Sequence, residues 1–164
     1  MNIVLLEPEI PANTGNIGRT CVACGAALHL IKPLGFSLSD KYVRRSGLDY
    51  WDKLTYFVYE DYTDFLRKND DPVVYMASTK ARKLYSEVRY PKNAYILFGK
   101  ESAGIPEEIL VKNRDYAVRI PMQNEIRSLN LSNSVAVLLY EAMRQHNFGS
   151  LNTKGELHRL RWDS

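Results

Sequence analysis

The sequence predicts an α/β domain with a mostly parallel sheet flanked by helices. Short apolar runs recur along the chain and alternate with stretches of helical periodicity. Turn residues separate them at nearly every junction, and no repeat, low-complexity segment or linker interrupts the alternation. A length of 164 residues fits one domain of ordinary size. The reading is a single domain over residues 1–150 followed by a basic tail over residues 151–164.

Ile3–Leu6 reads as a buried first strand, ended by Glu7-Pro8. A helix follows over Asn13–Gly25, because Ile17, Cys21 and Cys24 fall four and three residues apart on one face. Leu28–Ile31 is a second strand, stopped before Pro33. Leu54–Tyr59 suggests a third, with a helix over Tyr62–Lys68 behind it. Val73–Met76 and Tyr95–Phe98 are two further strands. Pro106 suits the first position of a short helix. Tyr116–Ile120 reads as another short strand. The last element is a helix over Leu131–Gln145, with Val135, Leu138, Leu139 and Ala142 on one face and Asn130 or Ser132 as its cap. The tail from Asn147 onward carries Lys154, His158, Arg159 and Arg161 and is expected to be loosely held.

Composition narrows the function. A hydrophobic fraction of 45% and a charged fraction of 25% are those of an ordinary globular protein. A net charge of +3 excludes a polybasic binder that works by charge alone, while it accommodates RNA bound through patches. No apolar run approaches the roughly 18 residues of a membrane span, and no basic leader precedes the first strand. A cytoplasmic protein is therefore expected. Cys21 and Cys24 form a lone C-x-x-C without a second pair or a histidine cluster. That is too few ligands for structural zinc, and two small buried helix residues are expected rather than a redox pair.

Ligands of parallel α/β sheets bind beyond the carboxyl ends of strands, and three polar turns stand there. Pro8–Arg19 follows the first strand; its prolines stiffen it, and Gly15 and Gly18 permit close approach of backbones. A dinucleotide site would need G-x-G-x-x-G and an acid about 20 residues on. This turn has only G-x-x-G, and Lys32-Pro33 closes the second strand. For Arg19 alone, a surface salt bridge is the plain reading. Phe98–Pro106 is the second turn, with Gly99, Glu101 and Gly104. Ile120–Ser134 is the third. It has five Ser or Asn residues between Ser128 and Ser134 where one would cap a helix, an excess that favours binding.

Together the three turns resemble the SPOUT class of RNA methyltransferases. The motifs are Asn13-x-Gly15-Asn16-x-x-Arg19, Phe98-Gly99-x-Glu101-x-x-Gly104, and Ile120-Pro121-Met122 with Ser128–Asn133. Pro8-Glu9-Ile10-Pro11-x-Asn13-Thr14-Gly15-Asn16, Lys32-Pro33-Leu34-Gly35-Phe36 and Gly47-Leu48-Asp49-Tyr50-Trp51 are similar to the small bacterial tRNA wobble-position 2′-O-methyltransferases. The resemblance runs over about residues 3–148. It implies a C-terminal deep trefoil knot, which composition and periodicity do not show. It also implies methyl transfer from S-adenosylmethionine, without a metal, to the ribose 2′-hydroxyl of cytidine or uridine 34 of tRNA, with leucine isoacceptors expected as substrates.

By motif position the resemblance implies Gly99, Ile120, Ser128 and Leu129 as contacts of the methyl donor, with Ser78 as a further contact. It implies Arg19 as the catalytic residue. An arginine is essentially always protonated, so Arg19 is expected to hold a phosphate and stabilise the developing alkoxide rather than to act as a base. Asn13, Arg127 and Asn130 are candidates for substrate binding, each with a structural role as the alternative, and Glu101 is a candidate anchor. Lys41, Arg44 and Arg45, with Tyr42, Tyr50 and Trp51 nearby, are a candidate patch for the anticodon region; a solvated helix face with Tyr50 and Trp51 in a core or dimer contact is the alternative. A homodimer is expected, since a single small domain offers little surface for tRNA, and the last helix is a candidate contributor. A 2′-O-methyltransferase of another tRNA or rRNA site is the alternative within the enzyme reading, and two rival classes remain: a nucleotide-binding oxidoreductase, and a non-catalytic RNA-binding protein of the same fold.

Overall fold

The computed structural model describes residues 1–38 and 50–162, so Lys41, Tyr42, Arg44 and Arg45 lie outside the described residues. The strands are β1 (Asn2–Leu6), β2 (Ala27–Ile31), β3 (Tyr56–Tyr59), β4 (Val74–Ala77), β5 (Lys83–Leu84), β6 (Tyr95–Phe98) and β7 (Ala117–Arg119). The α-helices are α1 (Pro11–Cys24), α2 (Tyr62–Lys68), α3 (Glu107–Lys112) and α4 (Leu131–Arg144). The strands form one seven-stranded sheet in the order β3-β2-β1-β6-β4-β7-β5, with every described pairing parallel.

The sheet is covered on both faces, as parallel sheets require. Side chains alternate along each strand, and β1 sends Ile3 and Leu5 to one face and Val4 and Leu6 to the other. Ile3 and Leu5 join Leu28, Leu30, Ile96 and Phe98 beneath α1 and α4, whose Ile17, Cys21, Leu138 and Leu139 fill the same cluster. Val4 and Leu6 join Ile31, Met76 and Leu97 beneath Phe65 of α2 and Leu110 of α3.

Helix ends follow local chemistry. Pro11 opens α1, where its missing N–H costs nothing. Gly25 ends that helix at φ 66°, the left-handed conformation, with its amide directed at Cys21 and Val22 carbonyls. The Asp61 side chain caps α2 by accepting the Asp64 amide. Asn130 caps α4 by accepting the Ser132 and Asn133 amides.

Several boundaries differ from the sequence reading. Pro106 is the residue before α3 rather than its first, and the helix starts at Glu107. Leu54 is buried but precedes β3, following a single 3-10 turn over Trp51–Lys53. β5 is only two residues long and escaped the sequence reading. Cys21 and Cys24 are buried free thiols, as expected of small helix residues. Burial pushes the Cys21 thiol up to about 12, so it is inert as a nucleophile at neutral pH. From Asn147 to Leu151 the chain turns back on the end of α4, with the Phe148 amide on the Met143 carbonyl. Residues 152–162 have no regular structure and are exposed. No helix among the described residues is long and apolar enough to cross a membrane.

Candidate functional site

Parallel strands bring their carboxyl ends to one edge of the sheet, and the register aligns Ala77, Phe98 and Val118 there. The three segments that leave β4, β6 and β7 enclose a cavity of about 600 Å³, within the range of small-molecule and cofactor sites. Ala77–Lys80 line one wall, Phe98–Ile105 a second, and Ile120, Met122 and Arg127–Leu131 a third; Ile10 and Asn13 of the β1–α1 turn complete the rim.

The structure therefore brings Ser78, Gly99, Ile120, Ser128 and Leu129 together on one cavity, along with Asn13, Arg127 and Asn130. These residues come from four stretches of chain with no local link between them. It does not bring Arg19 to the cavity of its own chain. Arg19 lies six residues beyond Asn13 on α1, about 9 Å along the helix axis, and its side chain is exposed. The plain reading, a salt bridge, is not what it makes among the described residues. Its guanidinium lies over the Tyr50 ring, 5.0 Å from the centroid. Tyr50 and Trp51 are half-buried. Trp51 packs against the core, 5.5 Å from the Tyr56 ring.

Carboxylates hold the rim together. Glu101 accepts three hydrogen bonds from the first turn: from the amides of Glu9 (2.8 Å) and Ile10 (3.3 Å), and from Asn13 Nδ2 (2.9 Å). Glu9 returns the contact, accepting the Ser102 amide and hydroxyl at 2.8 Å each. Those two bonds hold the Glu9 carboxyl below its ordinary pKa, the hydroxyl bond contributing most. Glu7 pairs with Lys100 at 2.9 Å, which raises the lysine. Asn13 Oδ1 accepts from Asn130 Nδ2 at 3.0 Å, so one chain of hydrogen bonds runs Glu101–Asn13–Asn130 into the cap of α4. Glu101 is thus an anchor, and Asn13 and Asn130 tie the three turns to one another.

Gly99 is required by close approach. A Cβ there would sit 2.0 Å from the Gly104 carbonyl carbon and 2.3 Å from the Ile105 nitrogen, both backbone atoms. Gly104 has φ 71° and completes a tight turn closed by its amide on the Lys100 carbonyl. The walls combine Ile105, Ile120, Leu129 and Leu131 with Ser78, Thr79, Ser128 and Ser134. Glu101, the carboxylate on the lining, is already occupied by three donors. Such a lining fits a flat apolar ring edged with amide-like polar groups; of its cations, Lys80 and Lys100 are paired with Glu107 and Glu7.

Sequence reasoning missed two features. Lys80 reaches the cavity rim and pairs with Glu107 at 2.7 Å, and the Glu9–Ser102 exchange was not read. Neither has a spacing signal, because the partners are far apart in sequence. Among the described residues no group of three or more His, Cys, Asp or Glu could hold a metal ion.

Known proteins share this fold. A Listeria monocytogenes relative, provisionally assigned as a tRNA (cytidine(34)-2′-O)-methyltransferase, is 50% identical over 153 residues, 92% of this chain and 90% of its own. A structure solved in a study of 2-OH methylation of C/U34 on tRNA superposes with a TM-score of 0.85 at 41% identity, covering 89% of this chain and 95% of that one. An AdoMet-bound rRNA methyltransferase from Sinorhizobium meliloti superposes with a TM-score of 0.79 at 25% identity, over 87% of this chain and 55% of that one. The model of the SpoU rRNA Methylase family matches residues 1–140, and with that match the chain belongs to this family.

Proposed function

We propose that this protein is a tRNA (cytidine/uridine-34-2′-O)-methyltransferase that uses S-adenosylmethionine. The single observation that carries the reading is the convergence of Gly99, Ile120, Ser128 and Leu129 on one cavity of suitable size and chemistry. Support for the donor comes from the AdoMet-bound family structure, and for the wobble nucleotide from the relatives concerned with cytidine 34.

When bound, the donor supplies a methyl group on a positively charged sulfur, already activated for attack, so no metal is needed. Ile120 and Leu129 would flank the adenine, and Ser78 and Ser128 would offer polar groups to its edges. The glycine at position 99 leaves the second turn folded tightly against itself at the cavity wall. We assign the two turns Phe98–Ile105 and Ile120–Leu131 to the trefoil knot implied by the family resemblance.

The acceptor oxygen must form its bond to carbon as the carbon–sulfur bond breaks and its electron pair stays on sulfur as a neutral thioether, and the 2′-hydroxyl proton passes to solvent water. Arg19 stabilises the oxyanion and grips the adjacent phosphate. An arginine is essentially always protonated and so is a poor candidate for the base. In this reading the working unit is a cytoplasmic homodimer in which the RNA, entering by its anticodon region, meets both a cavity and an Arg19; the absence of Arg19 from the lining of its own cavity supports it. Arg127 lines the cavity and contributes a further phosphate contact.

The test uses a leucine tRNA transcript and labelled donor. Wild type should sediment as a dimer and methylate the ribose of nucleotide 34. Arg19→Ala loses at least about 100-fold in turnover while calorimetry gives an unchanged donor affinity. Arg19→Lys stays strongly impaired, since a lysine cannot make a bidentate grip on phosphate. A wild type that binds no donor, or that labels another position, would rule the assignment out.

A further inference from the structure

Arg19 carries an unusual pairing for an exposed cation. Among the described residues no carboxylate pairs with it; its contact is the face of Tyr50, at 5.0 Å. We infer that Tyr50 is a positioning residue for methyl transfer, holding the Arg19 guanidinium in its working orientation without using up its charge or its hydrogen-bond donors. The inference rests on the reading of Arg19 as the group that grips the RNA.

A carboxylate placed beside Arg19 would fix it equally well. It would also neutralise it and occupy two of its five N–H groups. An aromatic face attracts the cation through the ring's negative π-surface and leaves the N–H groups, which radiate in the guanidinium plane, available to phosphate and ribose oxygens. The arrangement is therefore suited to an arginine that must be both fixed and free to bind.

The chain that carries Tyr50 is anchored at the next residue. Trp51 packs into the notch that Gly18 leaves on α1: a Cβ at position 18 would stand 3.4 Å from Trp51 Cζ3 and 3.0 Å from Leu54 Cδ2. Trp51 also contacts Tyr56 and the core. The consecutive pair Gly18-Arg19 on α1 thus meets the consecutive pair Tyr50-Trp51, one contact packing and the other electrostatic. Side chains with four rotatable bonds sample many rotamers when exposed, and the ring removes much of that freedom before RNA arrives.

The experiment compares Tyr50→Phe, Tyr50→Leu and Arg19→Ala on the same tRNA transcript. Phenylalanine keeps the aromatic face, so Tyr50→Phe should retain more than half of the wild-type kcat. Tyr50→Leu keeps bulk but loses the face. Its kcat should fall at least about fivefold, with the donor Kd and the thermal midpoint unchanged. Nitrogen-15 relaxation of the Arg19 side chain should report greater mobility in the Leu variant than in the Phe variant. If the Leu variant fails to fold, Tyr50→Met replaces it. Full kcat in the Leu variant beside an inactive Arg19→Ala would overturn the inference and leave the role of Arg19 standing. Equal losses in the Phe and Leu variants would also overturn it. An active Arg19→Ala would remove both.

Discussion

Gly99 concentrates the fit of the cavity at one residue. Its missing Cβ is the space in which the Gly104 and Ile105 backbone lies, and backbone cannot swing aside as a side-chain tip can. Gly99→Ala is accordingly expected to cost about 1–3 kcal/mol by overpacking and to abolish detectable donor binding. Urea unfolding measures the first and calorimetry the second; an alanine variant that binds the donor normally would contradict the account. This residue was legible as a turn glycine between Phe98 and Lys100, but not as one that abuts Gly104, since chain spacing does not encode the fold of a turn. Arg19 is the reverse case. Its type and motif position pointed to chemistry, while its place over Tyr50, outside the cavity, depends on how residues 50–54 pack on α1. Glu101 was legible as a candidate anchor of the knot, with a polar ligand group or a nearby base as its alternative partners, and its bonds go to the first turn; the answering Glu9–Ser102 bonds carry no local signal.

Among the elements, α4 couples fold to site most directly. Its cap, Asn130, accepts the Ser132 and Asn133 amides while donating to Asn13 on α1. Asn130→Ala removes both, leaving orphan amides at the start of the helix. The expected loss is about 1–2 kcal/mol for the cap, with weaker donor binding as the third wall loosens. Asn130→Asp separates the two roles. An aspartate still caps α4 but cannot donate to Asn13, so stability should return while donor affinity stays reduced. Recovery of both in a denaturation and titration pair would show that the link to Asn13 is dispensable. The elements that the sequence made legible are those with strong period: Ile3–Leu6, the Ile17–Cys21–Cys24 face of α1, and the Val135–Leu138–Leu139–Ala142 face of α4. β5 was not legible, because Lys83-Leu84 is too short to show alternation and is a strand only through its pairing with β7. Pro106 was misplaced by one because proline suits the residue before a helix as well as its first position.

At the scale of the whole molecule, the buried polar group most exposed to acid is His29, on β2. It is 2% accessible and ringed by Phe57, Tyr59, Phe65 and Tyr95. Nδ1 lies 2.8 Å from the Tyr59 hydroxyl and Nε2 3.3 Å from Asn2 Oδ1. Burial lowers its pKa from 6.5 to about 4. The unfolded chain binds a proton more readily, so stability is complete above about pH 6.5 and falls as pH drops toward 4. The loss is on the order of 3 kcal/mol in all. Urea midpoints between pH 7.5 and 4.5 should decline along that slope in wild type, and His29→Gln should flatten it; an equal slope in the variant would place the acid sensitivity elsewhere. The fold class was legible from alternation alone. The strand order was not, since β6 lies between β1 and β4 by virtue of long-range pairing that no window of sequence contains. The interlocked carboxylates of Glu9 and Glu101 join stretches about ninety residues apart, and that has a bearing on synthesis. As the chain leaves the ribosome, the first turn has no mate until Ser102 emerges, and the third wall arrives later still with Asn130. On the proposed function, a nascent fragment is therefore expected to gain affinity for the methyl donor only when translation is nearly complete.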